Sequence, residues 1–225
     1  MPRPDGFTRL VDDARDFFAE LDANNTKEWF EPRKEQYTKA IRQPAEFLCE
    51  ITSEEIARLT GESHTGKVYR IYRDVRFSKD KRPYNPHLHM AWSHASPKDH
   101  GEAAPVWFFA CSPTMLTVNM GVPGFKGEAL LAWRRLVDLH GDDLDAAIKQ
   151  TGAGFSEWGE GPLKKVPAPY DAAHPYADLL KRRSLILDAP LGEAWRASKL
   201  GLARAIAERC AGLLPVWRLL HAHLR

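Results

Sequence analysis

The sequence predicts an α+β fold: an antiparallel sheet with helices packed against it, N-terminal helices on one side of the chain and a C-terminal helix on the other. Three observations support this. Apolar residues recur at helical spacing in the first quarter and in the tail, two-residue alternation appears in the middle, and no regular strand and helix alternation of the parallel-sheet kind is present.

Taken in order, Phe7, Leu10, Val11, Ala14, Phe17, Phe18 and Leu21 form one stripe at three- and four-residue spacing, as a helix with one buried face requires. Asn25 as N-cap with Glu28 three residues later resembles a capping box and predicts a second helix, with Trp29, Phe30, Tyr37 and Ile41 as its apolar side. Pro44 is expected to interrupt, after which Phe47, Leu48, Ile51, Ile56 and Leu59 continue a helix that stops at Gly61. From Lys67 to Phe77, Tyr69, Ile71, Arg73, Val75 and Phe77 alternate with Arg70, Tyr72, Asp74 and Arg76, the period of a strand or extended loop.

Ser78 to Pro86 and Pro97 to Pro105 have turn and loop composition, and the short piece between them has no clear type. Val106–Ala110 and Met115–Val122 flank the turn signal Ser112-Pro113-Thr114 and predict an antiparallel hairpin. Gly127–Leu139 and Asp142–Gln150 predict two helices, and His174–Lys181 one more. Short strands are expected around Phe155–Trp158, Leu163–Val166 and Ser184–Leu187, and a helical tail after Gly192 with a kink at Pro215. No linker composition divides the chain, so residues 1–225 are expected to form one domain.

Composition narrows the functional classes. With 44% hydrophobic residues the chain can bury a substantial core, and a net charge of only +2 is unlike that of a nucleic-acid coat protein. Nucleic acid is therefore a possible but disfavoured partner. Cys49, Cys111 and Cys210 are far apart and odd in number, which indicates neither a disulfide framework nor a zinc ribbon and is consistent with reduced, buried thiols. Neither a signal-type N-terminus nor an apolar run of spanning length occurs, so a soluble cytoplasmic protein without a membrane partner is expected. Oligomeric state is not encoded in any of these features.

The densest chemistry lies in Arg70-Ile71-Tyr72-Arg73-Asp74-Val75-Arg76-Phe77-Ser78-Lys79-Asp80-Lys81-Arg82-Pro83-Tyr84, with six cations in fifteen positions. Guanidinium forks and ammonium groups suit phosphate or carboxylate, and Asp74 and Asp80 are placed to hold those cations in fixed rotamers. Tyr69, Tyr72, Phe77 and Tyr84 interleave with them and offer flat rings beside the charges. Ordinary surface pairing accounts for the same residues at roughly 0 to 1 kcal/mol per pair.

A metal site has thin support. His87, His89, His94 and His100, with Asp99 and Glu102 nearby, match no metal spacing, so no metal is assigned and His87 and His89 are the weak candidates. Ser78 sits among cations but in no nucleophile elbow, and glycine-rich dinucleotide and P-loop motifs are absent. No cofactor is implied.

The Arg70 to Tyr84 run, together with Asn24-Asn25-Thr26-Lys27-Glu28-Trp29-Phe30, resembles a widespread bacterial and fungal family of conserved hypothetical proteins catalogued as a domain of unknown function, DUF2461. The similarity extends through Leu163-Lys164, His174-Pro175 and Lys181 to Leu187, covering about residues 7–191 and leaving 192–225 as a C-terminal helical extension. Ser93 to Pro105 is longer and more polar than the family pattern. The resemblance implies no reaction.

Three functions stay open on these residues. In the first, Arg70, Arg73, Arg76 and Lys81 bind a small anion, Tyr84 borders the pocket, and Asn24 or Lys27 reaches it. The second is an enzyme acting on a phosphorylated or nucleotide-like molecule, with Asp74 or Asp80 as general base and Ser78 as a weaker candidate. The third is a structural or interaction protein whose charged segment is an internal salt-bridge network.

Overall fold

The computed structural model describes residues 6–95, 104–198 and 201–224. Helix α1 (Thr8–Ala23) buries Leu10, Val11, Ala14, Phe17, Phe18 and Leu21, the stripe expected from the spacing. The short helices α2 (Lys27–Phe30) and α3 (Lys34–Tyr37) follow, joined by a 3₁₀ turn at Glu31–Arg33. The N-cap of α2 is Thr26, whose hydroxyl accepts from Trp29 N–H at 3.3 Å, and not Asn25, whose side chain is engaged elsewhere.

A π-helical turn at Thr38–Arg42 runs directly into α4 (Gln43–Thr60). Pro44 therefore does not interrupt the chain. It lies in the first turn of α4, where a missing N–H costs little, and the wider turn before it accommodates the ring. Gly61 ends α4 as expected, at φ 77° with its N–H on the Ala57 carbonyl.

The sheet consists of β1 (His64–Val68), β2 (Leu88–His94), β3 (Val106–Cys111), β4 (Leu116–Val122), β5 (Gly154–Phe155) and β6 (Leu185–Pro190). Its order is β1-β2-β3-β4-β6-β5 and every pairing is antiparallel. The predicted hairpin is β3 and β4. By contrast β2 comes from the stretch to which the sequence assigns no clear type, although Leu88, Met90 and Trp92 are buried in alternation with the more exposed His89 and Ser93. Of the segment from Lys67 to Phe77, expected as a strand or an extended loop, Lys67 and Val68 belong to β1 and the rest is loop, and Leu163–Val166 forms no strand.

Register sorts the side chains into two faces. Trp92, Trp107, Met120 and Leu187 lie opposite one another in adjacent strands, as do Met90, Phe109, Val118 and Ala189. These rows are almost wholly buried beneath α1, α4 and α7 (Gly201–His223). Each such side chain contributes about 1.5–3 kcal/mol by leaving water. The opposite face carries the row Lys67, Ala91, Phe108, Asn119 and Asp188, in which Asp188 accepts from Asn119 Nδ2 at 2.7 Å and from the Thr117 hydroxyl.

Glycine is required at one place in the sheet. Gly121 has φ 151°, and a Cβ there would lie 1.8 Å from the Leu185 carbonyl oxygen across the pair of β4 and β6. The two predicted central helices are both present as the halves of α5 (Gly127–Thr151), which kinks between them at His140, where φ is −133° and ψ 30°. The helix expected over His174–Lys181 is the single turn α6 (Ala177–Leu180). Helix α7 contains Pro215 and sets Ile206, Cys210, Leu213, Val216, Trp217 and Leu220 into the common core.

Candidate functional site

The chain leaves the sheet at Val68 and rejoins it at Leu88, and residues 69–87 form an arm between β1 and β2. At its base Tyr69 N–H donates to the His89 carbonyl at 2.9 Å, Asn85 N–H to Ile71 at 2.7 Å, and Arg73 N–H to Pro83 at 2.8 Å, so Tyr72 and Tyr84 lie opposite each other as an isolated bridge. Two prolines and the density of like charge end the ladder there.

The arm is pinned from the helical side. Asn25 Nδ2 donates to the Tyr84 carbonyl and Asn25 Oδ1 accepts from Tyr84 N–H, both at 3.0 Å, so one side-chain amide does the work of a neighbouring strand. The Tyr84 ring packs 4.4 Å from Phe30 and 5.3 Å from Tyr72. Tyr84 is fully buried, and its hydroxyl has no partner among the described residues. It supports the arm from beneath and does not stand at the edge of an open site.

Within the arm the aspartates orient the cations. Arg73 donates to Asp80 at 2.8 Å and to the Arg82 carbonyl at 3.2 Å, Arg76 grips Asp74 through Nε and Nη2, and Arg82 bridges Asp80 at 2.9 Å and Asp22 of α1 at 2.7 Å. Lys81 donates to the Val75 carbonyl at 3.0 Å. Arg70 and Lys79 make no side-chain hydrogen bond or ion pair among the described residues. Six cations thus face three carboxylates, Asp22, Asp74 and Asp80, and the arm retains an excess of positive charge.

These pairs alter the carboxylates' chemistry. Hydrogen bonds from Arg82, then from Arg73, hold the Asp80 carboxyl far below the usual carboxylate range, and Arg76 lowers Asp74 in the same way. A carboxylate so stabilised is a poor proton acceptor at neutral pH. Ser78 is half-buried and its hydroxyl has no partner among the described residues, so no base is positioned to activate it. Phe77 stands at the tip, 95% exposed, with the Arg76 guanidinium 5.9 Å from its ring centre.

The N-terminal candidates divide. Asn24 caps the end of α1 through Nδ2 to the Glu20 carbonyl at 2.9 Å, and Lys27 is exposed on α2 without an ion pair. From this part of the chain the residues that touch the arm are Asp22, Asn25 and Phe30. Sequence reasoning assigned Asn25 to a cap and passed over Asp22. The only available signal was the closeness of both to the Asn24 to Phe30 motif.

His87 and His89 lie 6.0 Å apart, ring centre to ring centre, and His89 in turn meets the rings of Tyr69, Phe108 and Trp158. Burial lowers both imidazoles, His89 to about 4, so both are neutral at pH 7. His94 belongs to a different group, 3.1 Å from Glu62, which also meets His221 at 3.4 Å. Among the described residues no three His, Cys, Asp or Glu side chains are arranged to hold a metal ion, and Asp99, His100 and Glu102 lie outside the described residues. Cys49, Cys111 and Cys210 are free and buried, and burial pushes the Cys49 and Cys111 thiols up to about 11 and about 12, which makes them poor nucleophiles.

A cavity of about 1240 Å³ opens away from the arm, between Phe7, Leu10, Pro44, Phe47 and Trp195. None of the predicted site residues lines it. No curated protein matches the chain. A family described as Conserved hypothetical protein (DUF2461) matches residues 13–218, past the expected limit near Leu191 and through most of α7. Spanning the α2 segment, the arm and nearly the whole fold, this match makes the chain a member of that conserved hypothetical family.

Proposed function

We propose that residues 70–84 are an anion-recognition arm, in which Arg70, Arg76, Lys79 and Lys81 meet phosphate or carboxylate groups around the exposed Phe77. The observation that carries this reading is the exposed Phe77 ring at the tip of a segment whose cations outnumber their carboxylate partners. Asp74 and Asp80 hold Arg76 and Arg73 in fixed rotamers, which lowers the entropic cost of receiving an anion. A binding role fits better than a catalytic one, because neither aspartate is basic enough to take a proton.

A second reading rests on the chain of pairs from Arg73 through Asp80 and Arg82 to Asp22, which ties the arm to α1 and serves the fold without any ligand. Thermal-shift titration with pyrophosphate and citrate separates the two. Native-state binding raises the apparent melting temperature, so wild type gains stability with one of these anions and Arg70→Ala/Lys79→Ala, which removes two unpaired exposed charges, loses that gain. Equal or absent shifts in both proteins support the structural reading.

The expected setting is the cytoplasm. Three buried thiols suit a reducing compartment, and among the described residues no helix is long and apolar enough to cross a membrane.

A further inference from the structure

The outer face of the sheet carries a second group of rings that the arm reading does not use. Tyr69 stacks on His89 at 4.8 Å with their planes 16° apart. Trp158, from the segment after β5, stands edge-on to both His89 at 5.8 Å and Phe108 at 4.9 Å. Phe108 is buried as the floor, while Tyr69 and Trp158 are 39% and 48% exposed as the walls.

The polar groups that border this niche have ring contacts but no side-chain hydrogen bond or ion pair among the described residues. Neither His87 nor His89 makes a side-chain hydrogen bond among the described residues, and their ring nitrogens are not sealed from solvent. Lys67, exposed and without an ion pair, holds its ammonium 5.1 Å from the Tyr69 ring centre. Two half-exposed aromatic walls beside two imidazoles without hydrogen bonds combine flat surfaces with a few convergent polar atoms, as ring-binding sites do.

We infer that Tyr69, His87, His89, Phe108 and Trp158 form a binding niche for a planar ring carrying a negative charge, with Lys67 meeting the charge. The ring stacks on the exposed Tyr69 and Trp158 surfaces. The imidazole nitrogens hydrogen-bond its edge, each able to donate or accept according to tautomer. Because both imidazoles are held neutral by burial, they read the ring's edge rather than its charge, which leaves Lys67 as the site's cation.

The test uses isothermal titration of the full chain with uridine 5′-monophosphate, nicotinate, uridine and inorganic phosphate. Both ring-bearing anions are expected to bind saturably, uridine more weakly, and phosphate not at the niche. Trp158→Ala lies in an exposed segment and should weaken the ring anions by roughly 5- to 100-fold, the loss of one stacking contact. Lys67→Ala should weaken the two anions while leaving uridine unchanged. Arg70→Ala/Lys79→Ala, which disables the arm, should leave the niche affinities intact, so failure here and failure of the arm reading are told apart. The inference is overturned if no ring-bearing probe saturates, if Trp158→Ala and Lys67→Ala bind like wild type, or if only the arm variant loses affinity.

Discussion

The two sides of this sheet are held by different physics. Its inner face is a continuous apolar layer of Trp92, Trp107, Phe109 and Met120 under three helices, whereas the arm at one edge is held by one amide clamp, a few ring contacts and a chain of ion pairs. Burial of the inner rows is non-directional and insensitive to salt, so it supplies stability. Ion pairs at exposed sites supply little stability but fix direction. The contrast teaches that the arm can present cations in set positions only because the inner face carries the fold without it.

The strongest test of that division is Phe109→Ala, expected to cost about 3–5 kcal/mol in denaturant unfolding through lost burial and the cavity left behind. A cost under about 1 kcal/mol would mean that the inner rows are less tightly packed than their burial indicates.

The outer face should show itself through pH. His89 titrates near 4 in the folded chain but about 6.5 when unfolded, so between those values only the unfolded state binds the proton. Its contribution is present above pH 6.5 and is lost as the pH falls toward 4, by at most about 3 kcal/mol. His87, lowered by burial, changes in the same direction. His89→Gln should flatten this part of the stability profile relative to wild type. A profile of unchanged slope would show that the imidazole is hydrated in solution.

A smaller and more local effect is expected from Asn25→Ala, which strips the Tyr84 backbone of both side-chain partners and should cost about 1–3 kcal/mol. Limited proteolysis should then cut first within residues 74–82, because the clamp holds the base of the arm. Cleavage at the same rate as wild type would assign the arm's order to Phe30 and Tyr72 instead.

Much of the fold was legible in local patterns. The stripe in α1, the Gly61 stop, the hairpin of β3 and β4 and the antiparallel sheet follow from spacing and turn residues, which act over a few positions and need no partner to be recognised. Strand β2 carries the alternation of a half-exposed strand, with Leu88, Met90 and Trp92 buried and His89 and Ser93 less so, but Ala91 and the turn-like residues before it blur the pattern. Of the two readings of Lys67 to Phe77, strand or extended loop, the strand ends at Val68 and the rest is a loop, in which Ile71, Arg73 and Val75 are still more buried than Arg70, Tyr72, Asp74 and Arg76.

By itself the sequence determined the fold class, the cationic segment and the chemistry its side chains can offer, since residue type and short-range spacing are properties of the chain alone. Only the tertiary structure decided which charges remain unpaired, that Tyr84 is buried while Phe77 is exposed, that Asn25 and Asp22 secure the arm, and that Trp158 meets His89 across the sheet. Those outcomes depend on contacts between residues some 60 or more positions apart in the chain, and no local pattern encodes which distant side chain completes a hydrogen bond or closes a ring contact.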